Sequence, residues 1–155
     1  MFNFKFLNNA YWVIDSINNI CYIRTVGFEN AEAIIEKYDK ITQEPNWNNE
    51  ITLVNDYEDL IGVKLFTSDI MSITDFHKSI LNRLGTGNWY FITSHMLYYG
   101  IIRMYAMYVN YFNGPTIIPI KYVNELDDYN LRSLIGTYRR ICIVQEKKER
   151  LDKTG

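Results

Sequence analysis

Two histidines, three clustered carboxylates and a handful of hydroxyls are the residues here whose types could do chemistry. His95 stands beside Ser94 in Thr93-Ser94-His95-Met96, at the end of an apolar run. The carboxyl ends of strands are where open α/β sheets hold ligands, so this loop is a natural place to look. A nucleophile and its base must meet through space, however, and no G-x-S-x-G elbow surrounds Ser94, so catalysis through this pair is not expected. His77 lies four residues after Ile73 and beside Phe76, on what should be the inner face of a helix. That placement predicts a core histidine. Asp56, Glu58 and Asp59 could attract a hard cation, but neighbouring positions at a strand end point opposite ways and no D-x-D-x-D-G loop frames them. Gly85-Thr86-Gly87 precedes a strand rather than a helix, which argues against a phosphate loop. Cys21 and Cys142 each sit in an apolar run without a CxxC or histidine partner, and read as buried thiols in a reducing compartment. No cofactor and no metal site is expected.

The elements that must position these residues follow from hydrophobic period. Phe2, Phe4 and Phe6 alternate with polar neighbours as a short strand would. Runs 11–17 and 20–26 are rich in β-branched and aromatic residues, and Asn18-Asn19 between them predicts a two-residue hairpin turn closed by Gly27. Ala31, Ile34, Tyr38 and Ile41 then recur at helical spacing, with Glu32, Glu36 and Lys40 on another face, until Pro45. Residues 51–54 read as a core strand, and 69–84 as a second helix with Ser68 as its cap and Ile70, Ile73, Ile80, Leu81 and Leu84 inward. Residues 89–92 predict a buried strand, 98–112 a third helix and 116–123 a last strand. Pro119 marks that strand as an edge or a bulge. Asn124 is placed to cap a fourth helix, and 139–155, rich in both charges, could add a fifth.

The sum is an α/β sandwich: a mixed sheet of five to six strands, an antiparallel N-terminal hairpin, parallel crossovers and four to five helices. The expected division is a domain over 1–137 and a helical or frayed basic tail over 138–155. A net charge of −2 gives no field to attract nucleic acid. The opening residues lack the pattern of a signal peptide, and the most apolar stretch, 96–112, is broken by Arg103 and Asn110. A cytoplasmic location without a membrane span is expected.

Three passages carry a family resemblance. Glu44-Pro45-Asn46-Trp47 leads into Leu53-Val54-Asn55-Asp56-Tyr57-Glu58-Asp59. Gly100-Ile101-Ile102-Arg103-Met104-Tyr105 opens the third helix, and 120–128 forms a strand-to-helix junction. In this order, across roughly 10–137, they resemble the SpoIIAA-like family, relatives of the STAS and SEC14-type domains. Ile102 departs from the small residue usual before the arginine, and Phe66-Thr67-Ser68-Asp69 stands where anti-anti-sigma factors carry their phosphoacceptor motif. Thr67 and Ser68 are the corresponding candidate phosphoacceptors. The resemblance implies a bacterial-type binding or regulatory module without catalysis, with a link to non-polar ligands.

The segment that stands out is the third helix. Aromatics make up 15% of the chain, and Tyr98, Tyr99, Tyr105, Tyr108, Tyr111 and Phe112 crowd into it. Ile101, Ile102, Met104 and Met107 fill the gaps and leave almost no polar face. Cover by the C-terminal segment, a homodimer or protein interface, or a groove for an apolar, lipid-like small molecule would each account for it. The expected ligand or partner surface is Tyr98, Tyr99, Ile102, Arg103, Tyr105, Met107, Tyr108, Tyr111 and His95, with association through protein contacts leading and the small-molecule carrier as the alternative.

Overall fold

A computed structural model of the chain describes residues 2–155. Strands β1 (Lys5–Leu7), β2 (Ala10–Asp15) and β3 (Ile20–Thr25) form an antiparallel meander. Parallel to β3 run β5 (Thr52–Asp56), β7 (Asn88–Ile92) and β8 (Thr116–Ile120), after β4 (Gly27–Asn30) and β6 (Leu60–Lys64) are set aside as a separate parallel pair. The six-stranded order is β1-β2-β3-β5-β7-β8. The parallel strands therefore follow chain order, and crossovers of one hand put their helices on one face. Those helices are α1 (Ala31–Ile41), α2 (Thr67–Ser79) with the one-turn α3 (Leu81–Leu84), and α4 (Met96–Val109). The last helix, α5 (Tyr129–Thr154), crosses the opposite face and runs unbroken through 137 and 138.

Side-chain alternation splits the core in two. Cys21, Ile23, Leu53, Trp89 and Phe91 face the three-helix layer, whereas Tyr22, Val54 and Ile92 face α5. Pro119 sits opposite Phe91 in the edge strand β8, where its missing N–H costs the sheet nothing on the open side. No helix among the described residues is long and apolar enough to cross a membrane.

Several boundaries differ from the sequence expectations. The hairpin turn spans four residues, 16–19, because the Asp15 carboxylate accepts the N–H groups of Ile17 and Asn18 and the Asn18 amide, while Asn19 takes the positive φ. The first strand starts at Lys5, later than the Phe2–Phe6 alternation implies. Ser68 does not cap α2. Phe66 occupies that position and the Asp69 carboxylate accepts its N–H, the reciprocal half of a capping box. The helix predicted to 84 breaks at Ile80. Asn124 lies in a 3₁₀ turn (Val123–Glu125), and Asp128 caps α5 by accepting from Leu131 N–H. The tyrosine-rich helix starts two residues earlier and ends three residues earlier than predicted. The Gly85-Thr86-Gly87 passage has a packing role: Gly85 has φ +78°, and a Cβ there would lie 2.0 Å from the Asn49 carbonyl oxygen.

Candidate functional site

Between the sheet and the three-helix layer lies a cavity of about 70 Å³. Helix α1 contributes Ile34 and Tyr38 to its wall, α2 Ile70 and Ile73, and α4 Tyr98, Ile101, Ile102 and Tyr105. Phe91 of β7 and Tyr57 form an aromatic floor, their rings stacked with centroids 6.1 Å apart. The β4–β6 pair closes the remaining side with Glu29, Leu60 and Val63, followed by Leu65. That pair is fixed by a close fit: a Cβ on Gly62 would meet the Phe28 ring at 2.9 Å, and the Tyr98 hydroxyl donates to the Ile61 carbonyl at 3.2 Å.

Polar groups pack around the wall residues Tyr38, Tyr57 and Tyr105. Lys37, 1% exposed, donates to Glu29 at 2.9 Å and to the Thr25 hydroxyl at 3.3 Å. Its ammonium lies 5.4 Å from the ring centroids of both Tyr38 and Tyr57. The Tyr38 hydroxyl donates to Asn55 Oδ1 at 2.9 Å, and its ring stacks on Trp89. His77 Nδ1 shares a short hydrogen bond with the Tyr105 hydroxyl. Burial, helped by the Lys37 charge, pulls the His77 pKa down to about 3, so the ring is neutral. Burial likewise holds Tyr38, Tyr57 and Tyr105 well above the usual phenol range. Asn55 Nδ2 and His77 Nε2 are enclosed without a protein partner among the described residues. Such a cluster, neutral apart from one ion pair, braces the aromatic walls and offers no ionised base exposed to solvent; Lys37, Asn55 and His77 themselves do not line the cavity.

The structure distributes the predicted surface residues over two environments. Tyr98, Ile102 and Tyr105 are buried against the cavity, at the i, i+4, i+7 spacing of an inner stripe. Tyr99 and Tyr108 are half-buried, with the Lys121 ammonium over the Tyr99 ring. Arg103, Met107, Tyr111 and His95 are exposed, and Arg103 makes no ion pair among the described residues. The C-terminal segment does not cover this helix, since α5 lies across the other face. Thr67 and Ser68 are exposed on the first turn of α2.

The remaining chemistry-bearing residues are not brought together. Ser94 Oγ is 3.4 Å from Glu58 and makes no bond to the His95 ring. Asp56 accepts from the Tyr22 hydroxyl at 2.6 Å and from Arg139 at 2.7 Å, while Asp59 pairs with Arg24. No group of three metal-ligating side chains is arranged to hold a cation among the described residues. Cys21 and Cys142 are buried on opposite faces of the sheet, and burial pushes the Cys142 thiol up to about 11. Sequence reasoning missed Glu29 and Lys37. Lys37 could have been found, because it sits within the apolar stripe Ile34, Tyr38, Ile41 of α1.

Compared with known family models, with curated proteins and with solved structures, the chain matches none.

Proposed function

We propose that this protein is a non-catalytic, SpoIIAA/STAS-like module that carries or senses a small, mainly apolar molecule in the cavity beside α4. The observation that carries this reading is the cavity itself. Cores are packed to crystal density, and an apolar space lined by Ile102, Tyr105, Ile73 and Phe91 forfeits dispersion contacts that a guest would restore. Engineered apolar cavities of about twice this volume take up benzene. The sequential parallel order β3-β5-β7-β8 behind an N-terminal hairpin supports the resemblance to the SpoIIAA-like family. The neutral state of His77 and the buried tyrosines supports a binding role over proton transfer.

Titration with toluene, followed by NMR of methyl groups, tests the proposal. Saturable shifts are expected at Ile73 and Ile102 and not at Ile135 on the α5 face. Ile102→Trp, which fills the space, should abolish them. Uniform small shifts on both faces would defeat the reading.

Self-association through α4 is a second reading, favoured by Met107 and by Tyr111, 86% exposed at the end of the helix. Measured mass in concentrated solution decides it. A species of 18.4 kDa throughout removes the dimer, and a species of twice that mass supports it.

A further inference from the structure

Most of the cavity lining is buried. Val63, Leu65 and Ile101 are the exceptions among the described residues, each half-buried. They border one seam, between residues 61–66 and the first turns of α4, which the Tyr98 hydroxyl spans to reach the Ile61 carbonyl at 3.2 Å. Among the described residues, that is the one hydrogen bond that ties 61–65 to anything but β4, and Lys64 makes no ion pair. The other walls are cross-tied. Tyr38 bonds to Asn55 of the sheet, Tyr105 to His77 of α2, and Glu29 to Lys37 of α1.

The segment is a strap fixed at both ends. Leu60 is buried and donates its N–H to the Tyr57 carbonyl at 3.1 Å, and the Phe66 carbonyl accepts the Asp69 and Ile70 N–H groups where α2 begins. Between these ends Ile61 and Lys64 are exposed, and Gly62 has no side chain to pack. Strand β4 cannot travel with the strap, because Lys37 holds its buried Glu29 and the Asn9 amide donates to the Phe28 carbonyl at 2.7 Å. Opening the seam therefore means peeling β6 from β4, whose ladder and Phe28–Gly62 fit keep it closed at rest. Half-exposed backbone with few buried contacts opens at a free energy well below that of global unfolding. At about 70 Å³ the resting cavity has half the volume of one that admits benzene, and the strap is the wall with the least to hold it in place.

Taking the cavity as the binding site, we infer that residues 61–66 are its gate: they lift from α4 in an opening separate from global unfolding, part Val63 and Leu65 from Ile101, and are latched by the Tyr98–Ile61 bond. Amide hydrogen exchange on the guest-free protein measures the opening. The β6 amides that β4 holds should exchange on the order of a hundredfold faster than those of Leu53 and Trp89, after correction for intrinsic rates, and with little dependence on dilute urea. Tyr98→Phe keeps the ring and removes the latch, so it should raise the β6 rates about three- to tenfold relative to Leu53. Tyr105→Phe, which removes the hydroxyl that α4 shares with His77, should leave that ratio unchanged. Toluene gives a second readout, because its association rate from NMR line shapes should rise in Tyr98→Phe by the same factor as the β6 exchange. Exchange of β6 in step with Leu53, or a ratio that Tyr98→Phe leaves in place, overturns the gate. So does toluene that enters the variant no faster than the parent while β6 exchange rises. Failure of toluene to bind the parent overturns the cavity reading; the opening still stands or falls on amide exchange.

Discussion

The two faces of the sheet are built in contrasting ways. On the α5 side, charged and polar side chains peg the helix to the strands. Arg24 bridges Glu146 of α5 and Asp59, Arg139 reaches Asp56, and the Tyr138 hydroxyl donates to Asp15 at 2.5 Å. Phe4, Tyr22, Ile135 and Cys142 fill the space between them. On the other side, three helices rest on the sheet mainly through aliphatic and aromatic contacts, with the Lys37–Glu29 pair and the Tyr38–Asn55 bond among them, and leave a cavity; among the described residues Asn55 Nδ2 and His77 Nε2 have no partner. One face is specified contact by contact. The other keeps room, and that room is where a guest is proposed to bind.

The largest expected effect breaks the pegged face. Arg24→Ala leaves Glu146 buried, its other cation, Arg150, being mostly exposed, and removing one partner of a buried pair costs about 3–5 kcal/mol. Urea denaturation should show that loss in the midpoint, whereas Lys5→Ala, which removes the exposed pair with Glu44, should change stability by under about 1 kcal/mol.

The cavity face should yield first to acid. The folded His77 pKa lies near 3, below an unfolded value of about 6.5, so the unfolded chain binds the proton first. Its contribution is complete above the unfolded pKa and is lost as pH falls toward the folded one. Between pH 6.5 and pH 5 the loss is roughly 2 kcal/mol, from about 1.4 kcal/mol per unit. His77→Phe should flatten that part of the stability–pH curve; an unaltered slope would show that another group drives it.

A smaller pair of substitutions sharpens the contrast. Ile73→Phe extends into the cavity and should stabilise by about 0.5–1 kcal/mol. Ile135→Phe, on the packed side, should destabilise by about 1–3 kcal/mol through overpacking. Thermal melts of the two variants should move in opposite directions. Equal and negative shifts would mean that the cavity wall cannot accept a ring.

Most of the main sheet was legible in the chain because its strands alternate or run apolar without a break, and Pro119 marked its edge. The β4–β6 pair was not legible. Its strands are four and five residues long, carry Glu29, Gly62 and Lys64, and exist only because tertiary contacts align them. Helix caps were misplaced where two competent residues lay close together: Asn124 and Asp128 can both cap, and the route of the chain off β8 selects the second. The inner stripe of α4 was masked for a different reason. Tyr98, Ile102, Tyr105 and Val109 form a regular inward row, but Tyr99, Tyr108 and Met107 are almost as apolar, so period alone could not separate wall from surface. The Glu29–Lys37 pair fell outside the reading because charges were assigned to solvated faces, and a buried ion pair is visible only once both partners are placed.

Pro119 and the shortness of β1 have a bearing on crowding. The sheet ends in a three-residue strand at one margin and a proline-bearing strand at the other. Neither offers a long ladder of free donors to an incoming strand, so molecules at high concentration have little with which to zip sheet to sheet. Both margins of the main sheet are therefore poor templates for fibril growth.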